Sequence, residues 1–170
     1  MGNEGDGDGQ FVEPSDIAID KQNNVFVVDY RSRVVQKFDE DGSFLLRWGS
    51  TGITDGAFAG IYSVAIDPAG NVLIADESGR IQKFDGNGKF LAPIPLEPLD
   101  KIPIDPWNIA IDIQGNIYVA DNGGTRIVKL DSQGKVLATW RGKETGAEMF
   151  NSLQDIAVDG QGNIYHRQCY

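Results

Sequence analysis

The chain has 170 residues, 41% of them hydrophobic, which is enough to bury a core and too apolar for a disordered segment. Its formal charge is −10, from 25 acidic and 15 basic residues without a cluster of Lys and Arg, which disfavours a nucleic-acid partner. The single cysteine, Cys169, rules out an intrachain disulfide, and no stretch approaches the ~18 apolar residues of a membrane span or contains the apolar run of a signal peptide.

The opening "MGNEGDGDGQF" is polar and glycine-rich. It places Gly2, Gly5, Gly9 and Phe11 at the same offsets as Gly49, Gly52, Gly56 and Phe58 in "WGSTGITDGAF" further on. The chain is therefore expected to begin inside a linker that recurs.

Strands follow. "SDIAIDKQNNVFVVDY" alternates apolar residues with period two on either side of a turn, and "RVVQKFD" and "FLLRWG" supply a third and a fourth strand. The same text returns as "YSVAIDPAGNVLIADE", "WNIAIDIQGNIYVADN" and "QDIAVDGQGNIYHRQC". The first aspartates, Asp20, Asp67, Asp112 and Asp159, are separated by 47, 45 and 47 residues. Asp at the turn entry and Gly where a hairpin needs positive φ explain "DPAGN", "DIQGN" and "DGQGN", and Asn23 stands in for the glycine in the first copy. Four antiparallel strands per unit of this length make one blade of a β-propeller. Blade 1 is expected at about 11–49, blade 2 at 58–92, blade 3 at 104–142 and half of a fourth at 150–170. Residues 93–106 read as a stiff, proline-rich linker that caps an edge or forms a groove.

The pattern G-x-F-x-x-P-x-D-I-A-I-D-x-x-x-N-x-[FY]-V-x-D, then R-[IV]-x-K-F-D-x-x-G, resembles the NHL repeat over essentially the whole chain. The resemblance implies an all-β, incomplete propeller of about three and a half blades where six are usual. It implies a binding or scaffold module and an extracytoplasmic parent, although the chain itself leaves its location open. It also implies that the loops entering the first strand and joining the second to the third form the partner face.

Those loops carry Pro14-Ser15, Tyr30-Arg31-Ser32, Tyr62-Ser63, Glu77-Ser78, Trp107-Asn108 and Asn122-Gly123-Gly124-Thr125. Aromatic, Arg and Asn residues off the repeat consensus are the material of recognition surfaces, so Tyr30, Arg31, Tyr62, Trp107, Asn108 and Asn122 are the candidate contacts for a protein or peptide. The recurring Asp29–Arg33, Asp76–Arg80 and Asp121–Arg126 read as structural pairs, with the first arginine displaced by one position. "DEDG" and "DGNG" read as hairpin turns and not as calcium loops. Related propellers include lyases that rely on histidine. Here His166 is alone, in the copy that departs from the repeat, so no catalytic residue, metal or cofactor is assigned. A fragment of a propeller lyase or lactonase-like hydrolase is the rival reading. The incomplete fourth blade predicts self-association through an open edge.

Overall fold

The aspartate that enters each turn also clamps it. Asp20 Oδ1 accepts the backbone N–H of Gln22 and of Asn24, while Oδ2 accepts from the Asn24 side chain. Asp67, Asp112 and Asp159 repeat the arrangement with Asn71, Asn116 and Asn163. The residue closing each turn has positive φ, 61° at Asn23 and 84–85° at Gly70, Gly115 and Gly162, as a tight hairpin requires. Asp39, Asp85 and Asp131 close the second hairpin of each unit in the same way. Every carboxylate of the acidic turns Asp39–Gly42 and Asp85–Gly88 that the repeat supplies is thus engaged with its own backbone.

The structure, a computed structural model, describes residues 3–123, 125–142 and 153–168. After a short parallel pair of β1 (Asn3–Glu4) and β2 (Gln10–Phe11), strands β3 (Pro14–Ile19), β4 (Val25–Asp29), β5 (Val34–Phe38) and β6 (Phe44–Trp48) form the first antiparallel sheet. The second holds β7 (Ile61–Ile66), β8 (Val72–Asp76), β9 (Arg80–Phe84) and β10 (Phe90–Ile94). The third holds β11 (Pro106–Ile111), β12 (Ile117–Asp121), β13 (Arg126–Leu130) and β14 (Val136–Arg141), and β15 (Leu153–Val158) pairs with β16 (Ile164–Gln168). The first strands lie side by side, β3 against β7, β7 against β11 and β11 against β15.

Each interface between blades is a separate apolar layer. Phe26, Val28, Ile61, Val64 and Ile74 fill the first, Leu73, Ile81, Ile109, Val119 and Val128 the second, and Tyr118, Ile127, Leu153 and Ile156 the third. Strands β8 and β12 are buried along their whole length because a blade covers each face, whereas the outermost β6 alternates half-buried and exposed. Among the described residues no helix is long and apolar enough to cross a membrane.

Two sequence expectations need correction. Strand β10 runs through Ile94, and Pro93 pairs in register with Gln82, so the linker is 95–105 and Pro106 already opens β11. Proline is tolerated there because β10 is an outer edge whose missing N–H faces no partner strand. Further along, the linker turns at Asp100 and Lys101, both with positive φ, and buries Ile104 on the layer between blades 2 and 3.

The second correction concerns Asp29 and Arg33. Asp76 bonds Arg80 at 2.9 Å and Asp121 bonds Arg126 at 2.6 Å, and in both the two residues face each other in register across the second and third strands. Asp29 faces Val34 instead, and Arg33, at φ 58°, lies outside the strand. Its guanidinium donates to the carbonyls of Ala59 and Arg31, while Asp29 accepts the backbone N–H of Val12, Glu13 and Ser32. The one-residue displacement takes the arginine off the strand and so breaks the pair.

Candidate recognition groove at the bulged rim

All four first strands share one irregularity near their start. Pairing skips a residue between Pro14 and Asp16, between Ile61 and Ser63, between Pro106 and Asn108, and between Leu153 and Asp155. The skipped residues are Ser15, Tyr62, Trp107 and Gln154, and such a bulge turns its side chain away from the pleat. All four line a single groove of about 370 Å³, completed by Glu13, Tyr30, Asn108 and Arg167. Four successive blades thus present their bulged side chains to one concavity.

In the first three blades the residue after the bulge points into the next blade. Asp16 Oδ2 accepts the Val64 N–H at 3.0 Å and the Ser63 hydroxyl at 2.7 Å, and Ser63 Oγ accepts the Ile109 N–H at 3.2 Å. Asn108 Oδ1 accepts the Ile156 N–H at 3.2 Å. This ladder fixes the angle between blades and with it the spacing of the bulged side chains.

Tyr30, Tyr62 and Trp107 form one continuous stack across three blades. Ring centroids are 5.7 Å apart for Tyr30–Tyr62, with planes at 9°, and 4.4 Å apart for Tyr62–Trp107, at 26°. Gly60 makes room for the first ring, since a Cβ there would lie 2.6 Å from Tyr30 Cε2. The surroundings are negative. Burial first, then the charges of Glu77, Tyr30, Asp105 and Asp76, push the Tyr62 phenol up to about 12. Burial and a hydrogen bond to Glu77 likewise raise that of Tyr30.

Of the residues expected at the partner face, Tyr30, Tyr62, Trp107 and Asn108 meet in the groove. Arg31 stands beside it, paired with Glu13 at 3.4 Å with both side chains largely in solvent. Asn122 is not brought in; its backbone N–H bonds the Asp105 carbonyl, which seats the loop after β12. Sequence reasoning missed Glu13, Gln154 and Arg167. Gln154 was findable, because positions 15, 62, 107 and 154 keep the same 47, 45 and 47 spacing as the turn aspartates. His166 lies on the exposed β16, opposite Ile156, while Gly124 and Cys169 fall outside the described residues. Among the described residues, no group of three or more His, Cys, Asp or Glu is placed to hold a metal ion.

No family model matches the chain. Over 133 residues, 76% of this chain, it is 29% identical to Protein brain tumor of Drosophila melanogaster, of which it spans 12%. It superposes on selenomethionine-substituted virginiamycin B lyase from Staphylococcus aureus with a TM-score of 0.66 and 13% identity. A catalytically inactive form of that lyase, with quinupristin, gives 0.65 and 14%, and the overlap is 92% of this chain and 49% of the lyase in both cases. A protein of unknown function from Bacteroides caccae gives 0.60 and 16%, over 89% of this chain and 52% of that one. The chain thus spans about half the length of these solved structures and a small part of the curated relative. At such identities the structural likeness shows the fold alone: an all-β propeller of four-stranded antiparallel blades, present here in part.

Proposed function

We propose that this chain is the recognition part of an NHL-type propeller and holds a protein or peptide in the groove of bulged residues. The observation that carries this reading is that Ser15, Tyr62, Trp107 and Gln154, equivalent positions in four blades, share one concavity while Tyr30 extends its aromatic stack. Repeating bulges spend regular pairing to aim side chains at a common point, and aromatic anchors flanked by amides are what interfaces concentrate at their centres. The NHL-type relationship is supported by the likeness to Protein brain tumor and by the propeller neighbours. The charge of −10 argues that the partner is not a nucleic acid.

The test is selection from a random peptide library displayed on phage, panned on the protein and on a Tyr62→Ala/Trp107→Ala double variant that keeps the wild-type unfolding midpoint. Peptides enriched by the protein and lost from the variant are the expected result. Peptides that bind both equally, or no enrichment at all, overturn the reading.

A further inference from the structure

We infer that the partner of this groove is a basic, extended peptide segment, one of whose Lys or Arg side chains packs on the aromatic row. The inference rests on the recognition reading above and adds the chemistry of the partner.

Charge gives the first argument. Around the row stand the carboxylates of Glu13, Glu77 and Asp105, and further along the first strands those of Asp16 and the exposed Asp155. Against them stand three guanidiniums, Arg31, Arg33 and Arg167; Arg31 is paired with Glu13, and Arg33 donates to the carbonyls of Ala59 and Arg31. The whole chain is acidic as well, so both the local and the distant field draw in a cation. An anionic peptide would meet this field with a single groove-lining arginine, Arg167, on its side.

Ring geometry gives the second argument. In a stack of three rings, Tyr62 is covered on both faces, so only the outer faces of the terminal rings are left for a ligand. Trp107 is the most exposed of the three at 36%, and indole is the strongest aromatic partner for a cation. A flat hydrophobic ligand would need an open platform, which a self-stacked row does not offer. A single alkylammonium or guanidinium head needs one ring face and nearby carboxylates.

The amides supply the third. Asn108 uses its Oδ1 on the Ile156 N–H, which leaves its amide N–H₂ to donate, and Gln154 stands one blade further along the same groove. Two side-chain amides in line suit the alternating donors and acceptors of an extended backbone. A free polyamine offers no carbonyl to either.

The experiment measures fluorescence anisotropy of dye-labelled hexalysine and hexaglutamate, with unlabelled spermine as competitor. The expected result is saturable hexalysine binding that weakens about tenfold or more between 50 and 500 mM salt, and no hexaglutamate binding. Trp107→Ala is expected to weaken it about tenfold. Glu77→Gln should weaken it severalfold, whereas Asp41→Asn, which removes the same charge from the exposed turn after β5, should leave it unchanged. Equal effects of Glu77→Gln and Asp41→Asn would reduce the binding to diffuse attraction and overturn the inference. Competition by spermine at the affinity of the peptide would overturn the peptide as partner. Binding of hexaglutamate that Trp107→Ala abolishes would overturn the basic partner and leave the recognition reading standing. Selected library peptides without basic residues would do the same.

Discussion

Arg126 carries its charge at 1% exposure, and the chain satisfies it from two directions. Its Nε donates to Asp121 Oδ2, and its two terminal nitrogens donate to the carbonyls of Leu99 and Ile102 in the incoming linker. Arg80 does the same for Asp76 and for the carbonyls of Ile53 and Ala57. Removing the cation leaves the buried Asp121 carboxylate without its counter-ion, so Arg126→Ala should lower the unfolding free energy by about 3–5 kcal/mol in urea denaturation. Arg47→Ala, at an exposed pair with Asp8, should cost no more than about 1 kcal/mol. Equal losses in the two variants would refute the assignment. Asp16 behaves in the opposite sense. Burial first, with a further contribution from the charge of Asp155, holds its carboxyl above the usual range, although Ser63, Val64 and Ile17 all donate to it. A raised folded pKa means that the folded state binds the proton more tightly, so ionised Asp16 costs stability above the unfolded value of about 3.9. Asn cannot ionise and keeps an acceptor, as Asn108 shows two blades on. Asp16→Asn is therefore expected to be the more stable protein at pH 7, with the difference shrinking as pH falls from 7 towards about 4. A difference that stays constant between pH 7 and pH 4 would refute this.

At the scale of strands and linkers, a buried glutamine on the third strand does what the consensus text does not announce. Gln82 Oε1 accepts the Gly56 N–H and its Nε2 donates to the Ala57 carbonyl, while Gln36 serves Gly9 and Gln10 identically. Blade 3 has Val128 in that register and a proline-rich linker to match. Gln82→Leu should leave the half-buried Gly56 N–H without its partner and the Ala57 carbonyl with Arg80 alone, cost about 1–3 kcal/mol and speed hydrogen exchange at Gly56 and its neighbours. Unchanged exchange there would refute the clamp. The turns and strand boundaries were legible because Asp and Gly at hairpin corners answer to local backbone geometry. The linker register was legible too, since Glu4 pairs with Phe11 as Thr51 does with Phe58. The groove was only half legible. Tyr62 and Trp107 stood out as off-consensus aromatics, but a bulge is an offset in pairing, and composition does not record it. Gln154 and Ser15 look like ordinary rim residues until the offset puts them beside the rings. Asp29 and Arg33 show the reverse error, in which a recurring pair of residue types suggested a contact that one inserted position removes.

For the molecule as a whole, the question is what its first face does. Ile17, Val64, Ile109 and Ile156 are equivalent positions, exposed by 59%, 4%, 3% and 4%. The last three are covered by the blade before them, and Ile17 is not; Ile19, at 61%, stands beside it. The ladder between blades shows the same gap. The N–H groups of Val64, Ile109 and Ile156 each take a side chain from the preceding blade, but that of Ile17 takes only its own neighbour, Asp16 Oδ1, at 2.8 Å. At the other end Asp155, the next residue in the ladder series, is exposed. The two ends are therefore complementary, with apolar surface and a backbone donor on one and a carboxylate acceptor on the other, and a head-to-tail contact would repeat the interface found inside the chain. Each isoleucine buried there contributes about 1.5–3 kcal/mol. The chain is expected to self-associate at micromolar concentration, and the double variant Ile17→Lys/Ile19→Lys to run as a folded monomer near 18.5 kDa in size-exclusion chromatography with light scattering. A monomeric wild-type chain would refute the contact, and so would oligomers that survive both lysines.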